Sequence, residues 1–199
     1  MYLLEGNQEW NQIHHDDLWI YNKLFLSRIL GYTCGPIGTT VPKPDFYIVR
    51  PSLNLLGMGI HARIEWIEST TDHFHPAEFW CEIFQGEHLS VDFKNQMCEL
   101  VVKGTRKSED PLYKWEKWEK INRNIDFPSI LSTLKGQYEW INCEFIDNYL
   151  IEVHFRPNPD FRYHNIVAIP VWDENCPQES SDYCFIADSD YRRKGFWIK

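Results

Sequence analysis

A group of side chains in the second half of the chain could bind a metal and a phosphate group. The group consists of Glu144, Glu152, His154 and Arg156. Carboxylates with one imidazole suit Mg²⁺ or Mn²⁺ better than zinc in a thiolate cage. Such a metal would neutralise phosphate oxygens, and the arginine could stabilise charge on a transferred group. The alternative interpretation is a solvated sheet face that carries a surface ion pair.

A β-hairpin is needed to position these side chains. The sequence predicts a strand that ends at Ile146 and a second strand that begins at Tyr149, with a tight turn at Asp147–Asn148. Because side chains alternate along a strand, the carboxylate, imidazole and guanidinium of the second strand should share one face. The turn should also place Glu144 near Glu152.

A second candidate site is a glycine-containing loop. A short strand, Phe46–Arg50, ends in a basic residue, and the loop that follows contains Gly57 and Gly59. Glycine lets backbone N–H groups approach a phosphate closely. The loop lacks the Walker A sequence, and a strand rather than a helix follows it, so a Rossmann fingerprint does not fit. A plain turn is the alternative interpretation.

A third candidate site is an acidic turn between two strand-like runs, Glu78–Phe84 and His88–Phe93. A carboxylate at such a turn could accept hydrogen bonds from ribose hydroxyls, while strand backbone groups pair with an adenine edge. The alternative interpretation is an ordinary hairpin. Three further segments are predicted to be helical: Asp16–Leu30, Pro111–Asn124 and Ser129–Leu134.

Composition and charge limit the possible classes of protein. A chain of 199 residues with 43% hydrophobic and 25% charged residues suits one folded domain. The net charge of −9 argues against broad binding to nucleic-acid phosphates, so nucleic acid is not expected as a partner. There is no apolar run of about 18 residues and no signal peptide, which predicts a cytoplasmic protein without membrane contact. The six cysteines form no C-x-x-C pair and are expected to be reduced thiols.

In their order, these features resemble the ATP-grasp superfamily, which includes carboxylate–amine ligases. The resemblance extends over residues 16 to 160, and no single motif carries it. The matching residues are Asp17 and Lys23 on a helix; Gly31 to Pro36; Val49-Arg50-Pro51; Glu82, Gly86, His88, Ser90 and Asp92 on a hinge strand; Glu144; and Glu152-Val153-His154-Phe155-Arg156-Pro157.

The resemblance implies an α+β fold of two small lobes with antiparallel sheets and flanking helices, and ATP with Mg (or Mn) as cofactors. It implies a ligase that joins a carboxylate to an amine through an acyl-phosphate. The nucleotide would contact Lys23, Arg50, Gly57, Gly59, Glu82, Phe84, Glu87 and His88. The metal would bind Glu144, Glu152 and His154, and Arg156 would steady the acyl-phosphate.

The same resemblance implies how the chain is organised. Residues 1–199 would form one domain, with a glycine-loop lobe at 16–80, a hinge and metal-site lobe at 81–160 and a C-terminal extension at 161–199. The expected partners are small-molecule or peptide carboxylates and amines, and a protein that supplies the N-terminal region usual in the family. Arg50 stands where the family has lysine, and His154 where it has asparagine. These departures favour an alternative function, a non-catalytic nucleotide- or protein-binding module.

Overall fold

The structure, a computed structural model, describes residues 13–53, 59–172, 182–190 and 193–199. These residues form two antiparallel β-sheets, one of four strands and one of eight. The smaller sheet contains β1 (Cys34–Pro36), β2 (Asp45–Pro51), β3 (Arg63–Ile67) and β4 (Glu78–Cys81). The larger sheet contains β5 (His88–Lys94), β6 (Met97–Thr105), β7 (Lys117–Lys120), β8 (Trp140–Ile146), β9 (Tyr149–His154), β10 (Val167–Trp172), β11 (Cys184–Asp190) and β12 (Arg193–Ile198).

The four-stranded sheet has the order β1-β4-β2-β3, and its two faces differ. Alternate residues of β2 and β3, Tyr47, Val49 and Ile67, pack with Trp80 of β4 in an apolar core. The opposite face carries the intervening residues, among them Arg50. Because side chains alternate along a strand, an arginine within this apolar sequence lies on the face away from the core.

The eight-stranded sheet has the order β11-β12-β10-β7-β6-β5-β8-β9. Its main core covers one face of the central strands and includes Val91, Val101, Cys143 and Val153, with Leu26 from the helix packed against them. Because side chains alternate along a strand, the residues next to these core positions lie on the other face, among them Ser90, Asn142 and Glu152. That second face carries the polar residues described below.

The predicted helix Asp16–Leu30 forms as two pieces. A 3-10 helix spans His15–Tyr21, and the α-helix α1 spans Lys23–Ile29. Asn22 separates them because its backbone is extended and its side chain accepts a hydrogen bond from the N–H of Phe25, which caps α1. The predicted helix at 129–134 is present as the 3-10 helix Ser129–Thr133, and a further 3-10 turn spans residues 159–161.

The helix predicted for Pro111–Asn124 is wrong. A turn leads instead into β7, which pairs with β6 on one side and β10 on the other. Trp115 and Trp118 pack against each other and over Gly104 of β6, where an added Cβ would lie 2.7 Å from the Trp115 ring. A strand is favoured here because β6 and β10 each present a row of backbone groups that only a strand between them can satisfy.

The strands predicted at Phe46–Arg50, Glu78–Phe84 and His88–Phe93 are confirmed as β2, β4 and β5, and the predicted hairpin as β8 and β9, within a few residues at their ends. None of the helices in the described part of the chain is both long and apolar enough to span a lipid bilayer. The cysteines of the described residues are free thiols, as expected; Cys176 lies outside those residues.

Candidate functional site

Polar side chains form two adjacent rows on one face of the large sheet, across β5, β8 and β9. In strand order the rows are Ser90, Glu144, Glu152 and Asp92, Asn142, His154. The turn at residues 147–148, together with a register shift between Glu144 and Phe145, places Glu144 directly opposite Glu152. The sequence predicted that Glu144 lies near Glu152 but did not predict the register shift. Carboxylates opposite each other on neighbouring strands repel unless cations lie near them.

Glu152 has two basic partners in a buried site. The Lys23 ammonium lies 2.9 Å from Oε2 of Glu152, and Nε2 of His154 lies 3.2 Å from Oε1. All three side chains are buried. Burial alone would raise the pKa of Glu152, but Lys23 and His154 outweigh it and hold that pKa below its usual range. Burial alone would likewise lower the pKa of His154, and the Glu152 carboxylate raises it above its ordinary value.

Arg50 links the two sheets. Its Nη2 donates a hydrogen bond of 3.3 Å to the carbonyl oxygen of Ile151 in β9, and its guanidinium lies over the Phe79 ring at 5.2 Å. The side chain is buried, and its Nε has no hydrogen-bond partner within the part of the chain that the structure describes. Arg50 also contributes to the low pKa of Glu152. A buried guanidinium with a spare donor is suited to an oxyanion.

Glu144 has a different basic partner. Its Oε2 lies 3.2 Å from Nε2 of His88 in β5, and the His88 ring packs against Trp115 and Trp118. The structure thus brings His88, which the resemblance assigned to the nucleotide, to a carboxylate that it assigned to the metal.

The fit of these residues to a metal is partial. The oxygen and imidazole donors are of the types that Mg²⁺ and Mn²⁺ accept. Both oxygens of Glu152 already face a basic group. Within the described ranges, no group of three or more His, Cys, Asp or Glu side chains is arranged to hold a metal ion. A cation at Glu152 would therefore have to replace the Lys23 ammonium.

The remaining nucleotide candidates, Glu82, Phe84 and Glu87, lie at two places. Glu82 accepts a 2.7 Å hydrogen bond from the N–H of Thr33. Phe84 stacks on Tyr149 with ring centroids 4.2 Å apart. Glu87 is paired at the surface, as the next paragraph describes. Glu82 and Phe84 both lie near Tyr32, since the Tyr32 and Phe84 ring centroids are 4.7 Å apart and the Glu82 charge adds to burial in raising the pKa of Tyr32, whereas Glu87 lies with Lys103 and Arg123.

Glu87 forms ion pairs of 2.6 Å with Lys103 and 2.8 Å with Arg123. The hydrogen bonds from Lys103 and Arg123 lower the pKa of Glu87. Two ribose hydroxyls would have to compete with both cations for this carboxylate.

The predicted residues that remain are Arg156 and the two glycines of the loop after β2, Gly57 and Gly59. Arg156 is half-buried, and its Nη1 donates to the Pro157 carbonyl oxygen at 3.3 Å. Gly59 adopts a positive φ of 65°, a backbone conformation that favours glycine. Gly57 lies outside the described residues.

A buried polar network beside the second row was not predicted as part of the site. The Asp92 carboxylate accepts hydrogen bonds from the Asn142 amide at 2.8 Å and from the Asn158 N–H at 2.9 Å. The Ser90 hydroxyl accepts from the amides of both asparagines. Burial raises the pKa of Asp92 to about 6. The signal in the sequence is Ser90 and Asp92 at alternate positions of an otherwise apolar strand.

The network fixes the segment that follows His154. Asn158 is bonded to Asp92 through its backbone and to Ser90 through its side chain. The segment between His154 and Asn158 contains Arg156, so its course over the sheet is set at both ends.

The basic tail has a structural role. Arg192, Arg193 and Lys194 form a run of basic residues close to Trp197, a pattern that can contact single-stranded nucleic acid. Arg193 is buried, and its Nη1 lies 2.8 Å from the Asp160 carboxylate, so its charge is directed into the protein. Arg192 lies outside the described residues.

Comparison with known proteins supports the fold. No family model matches the sequence, and no curated protein matches it either. A solved structure of an Archaeoglobus fulgidus protein, described as an ATP-grasp superfamily protein, matches 90% of this chain and 64% of its own, with a TM-score of 0.50 and 12% identity. The ATP-grasp ligase PsnB, solved in complex with a minimal precursor, matches 69% of this chain and 51% of its own, with a TM-score of 0.42 and 14% identity.

The first of these two likenesses shows that the chain has an ATP-grasp-like fold of the α+β class. The chain spans 64% of the length of that Archaeoglobus fulgidus protein. The two antiparallel sheets and few helices agree with the architecture expected from the sequence.

Proposed function

We propose that this chain binds ATP between its two sheets and uses it to join a carboxylate to an amine. The observation that carries the proposal is a pair of buried cations where the small sheet contacts the edge of the large one. Lys23 pairs with Glu152, and Arg50 bonds to the carbonyl oxygen of the preceding residue, Ile151, and helps to lower the pKa of Glu152. An ATP-grasp-like fold supports a nucleotide at that place.

A phosphate group is the ligand that best suits Arg50. A buried cation is costly unless it is paired. Within the described residues, Arg50 donates a long hydrogen bond to a neutral carbonyl, and its Nε has no partner. A planar guanidinium binds phosphate oxygens through two parallel hydrogen bonds. Lys23 would then hold a second phosphate as a point charge once it leaves Glu152.

The reaction has two steps. A substrate carboxylate oxygen attacks the γ-phosphorus of ATP, ADP leaves, and an acyl-phosphate forms. An amine then attacks the acyl carbon, phosphate leaves, and the amide forms. Arg156 would stabilise the charge of the acyl-phosphate, and the buried site would exclude water that could hydrolyse it.

Mg²⁺ would supply charge neutralisation for the phosphate oxygens when bound. Glu144 and Glu152 are the carboxylates that would hold it, with His154 as the neutral imidazole ligand. Movement of Lys23 from Glu152 to a phosphate would free one carboxylate oxygen for the cation.

Isothermal titration with ATP in magnesium buffer tests the proposal. Arg50→Met should weaken binding by about tenfold or more, because a hydrogen bond to a charged group contributes about 1.5–3 kcal/mol. Arg50→Lys should recover part of the loss. Arg162→Met, a change at an exposed arginine, should bind like the wild type. Absence of ATP binding by the wild-type chain would refute the proposal.

A non-catalytic nucleotide-binding module is the second candidate. The ion pair between Lys23 and Glu152 favours it, because it neutralises the carboxylate that a metal would need. Phosphate release with ATP and pooled amino acids separates the two functions. Turnover supports the ligase, whereas ATP binding that is independent of magnesium and without phosphate release supports the second candidate.

A further inference from the structure

Two cysteines face each other across the small sheet. Cys34 of β1 and Cys81 of β4 are direct register partners in an antiparallel pair. Residues directly opposite each other in such a pair project to the same face. Neither thiol is bonded to another cysteine in the structure.

The hydrogen-bond pattern of β1 and β4 shows that these cysteines form a non-hydrogen-bonded pair, the kind with the shorter Cα–Cα distance. The N–H of Glu82 donates to the Thr33 carbonyl, and the N–H of Ile37 donates to the Glu78 carbonyl. Hydrogen-bonded and non-hydrogen-bonded pairs alternate along an antiparallel ladder. Cys34 is one residue beyond Thr33, so its pair with Cys81 is of the non-hydrogen-bonded kind.

The spacing of such a pair fits a disulfide. Cα atoms of non-hydrogen-bonded partners lie about 4.5 Å apart, and disulfides span Cα separations of about 4.4–6.8 Å. Bond formation would therefore need little movement of the backbone.

The two thiols differ in exposure and acidity. Cys34 is half-buried, whereas Cys81 is buried. A hydrogen bond from Cys81 lowers the pKa of Cys34 against the effect of burial, and the charges of Arg28 and Arg50 add to it. The same hydrogen bond, together with burial, raises the pKa of Cys81. Cys34 is thus the nucleophilic thiol that solvent can reach, and Cys81 is the adjacent thiol that can form a disulfide with it.

We propose that Cys34 and Cys81 are a peroxide-reactive dithiol that closes into a disulfide between β1 and β4. The proposal rests on register, hydrogen-bond phase and exposure, and it is independent of the proposed ATP-dependent function.

The chemistry balances with hydrogen peroxide as the oxidant. The Cys34 thiolate attacks one peroxide oxygen, the O–O bond breaks, and the departing hydroxide takes a proton to become water. The resulting sulfenic acid is attacked at sulfur by Cys81. The S–O bond breaks, the Cys81 proton leaves with the hydroxide as a second water, and the S–S bond forms.

The remaining described cysteines lack this arrangement. Cys143 is fully buried in the main core, and burial raises its pKa well above the ordinary value. Cys184 is exposed, and its register partner in β12 is Ile198. Cys184 is therefore a matched control, a thiol that solvent reaches without a cysteine opposite it.

The test uses the full reduced chain and brief treatment with hydrogen peroxide. The remaining thiols are then alkylated in denaturant, which exposes the buried Cys81, and the products are analysed by mass spectrometry. The wild type should lose alkylation at Cys34 and Cys81 and yield one cross-linked peptide pair that contains both. Cys184→Ser should give the same result. Cys34→Ser should keep Cys81 alkylated, and Cys81→Ser should leave a sulfenic acid at Cys34 that dimedone traps.

Two results would overturn the proposal. One is full alkylation of Cys34 and Cys81 in the peroxide-treated wild type, and the other is cross-linking of either residue to a different cysteine. Dimedone labelling of the wild type at early times reports the reactive residue directly, so the test does not depend on whether the serine variants fold.

Discussion

Asp17 shows that a residue matched to a family motif can have a structural role. Its carboxylate accepts hydrogen bonds from the backbone N–H groups of Lys135 and Gly136 and from the Tyr138 hydroxyl. The side chain is buried. These contacts attach the N-terminal 3-10 helix to the loop that precedes β8, and so to the strand that carries Glu144.

Asp17→Asn should lower the free energy of unfolding by about 2 kcal/mol, because an amide group would meet three donors. Burial raises the pKa of Asp17, but the hydrogen bonds from Gly136, Lys135 and Tyr138 outweigh it and lower that pKa below 3.8. The carboxylate therefore stabilises the fold above that value, and this contribution is lost as the pH falls through the lower, folded-state pKa.

Urea unfolding at several pH values checks this prediction. The difference between the wild type and Asp17→Asn should shrink as the pH falls into the acid range below 3.8. Asp16→Asn is the control, because the Asp16 side chain is 66% exposed. An equal effect of both substitutions would contradict the role assigned to Asp17.

Lys23 offers a second test at the residue scale. Lys23→Met should destabilise the protein by about 3–5 kcal/mol, because it leaves the buried Glu152 without its closest cation. The exposed pair Lys43 and Asp45 has a similar N–O distance of 2.8 Å, and Lys43→Met should lower stability far less, because solvent screens an exposed ion pair. Chemical denaturation of both variants gives the comparison, and similar losses would contradict it.

Alternation predicted which residues of the β8–β9 hairpin share a face, because that property depends only on local geometry. Alternation could not predict that the Lys23 ammonium forms an ion pair with the Glu152 carboxylate, since α1 and β9 are distant in sequence and meet only in the fold. For the same reason, it did not predict that Glu144 pairs with His88.

At the scale of elements, the connection into β5 depends on a glycine. Gly86 has a φ of +135°, and an added Cβ would lie 2.2 Å from the Asp147 carboxylate carbon. That carboxylate accepts a hydrogen bond from the N–H of Glu87, and the Asp147 N–H donates to the Glu87 carbonyl. The glycine thus lets the entry to β5 lie against the turn between β8 and β9.

Gly86→Ala should destabilise the protein by about 3 kcal/mol, since it adds a steric clash to backbone strain. Gly31→Ala is the matched control, because Gly31 also has a positive φ but no atom within 4 Å of an added Cβ. Its cost should be about 1 kcal/mol. Thermal and urea unfolding measure both, and equal costs would show that strain alone accounts for the effect.

Strands were predicted more successfully than helices because alternation persists in this chain. Of the two long helices predicted, Asp16–Leu30 forms as two short pieces and Pro111–Asn124 does not form. The spacing of Trp115 and Trp118 fits a helical face, yet both rings pack on β6 from β7 and the turn before it. Local periodicity contains no information on the unpaired backbone groups that β6 and β10 present to each other. Pairing of β7 with both of these strands satisfies those groups and so decides the structure of this segment.

At the scale of the molecule, residues after 160 complete the larger sheet. β12 lies between β10 and β11, and β10 pairs with β7. Together with Val102 and Trp118, Phe196 of β12 and Ala168 of β10 form a third apolar cluster. An apolar run at Ile166–Trp172 indicates β10 from the sequence, whereas the segments that form β11 and β12 carry charged residues among their apolar ones.

The ion pair between Arg193 and Asp160 is the charged contact that holds β12 to the 3-10 turn after the hairpin. Both side chains are buried, and the Arg193 guanidinium also lies 3.3 Å from Asp188 and 5.3 Å from the Phe196 ring centroid. Arg193→Met should destabilise the protein by about 3–5 kcal/mol, because Asp160 would remain buried without its cation. Lys199→Met is the control, since Lys199 pairs with the exposed Asp182 and should contribute less than about 1 kcal/mol.

The same substitution tests the role of the basic tail. If Arg193 serves the fold, Arg193→Met should lower stability and leave the wild-type level of single-stranded nucleic-acid binding unchanged. A net charge of −9 predicts that this level is low and that salt has little effect on it. Denaturant unfolding and fluorescence anisotropy with a labelled oligonucleotide measure the two properties on one sample. Loss of nucleic-acid binding with unchanged stability would show instead that the arginine charge acts outward.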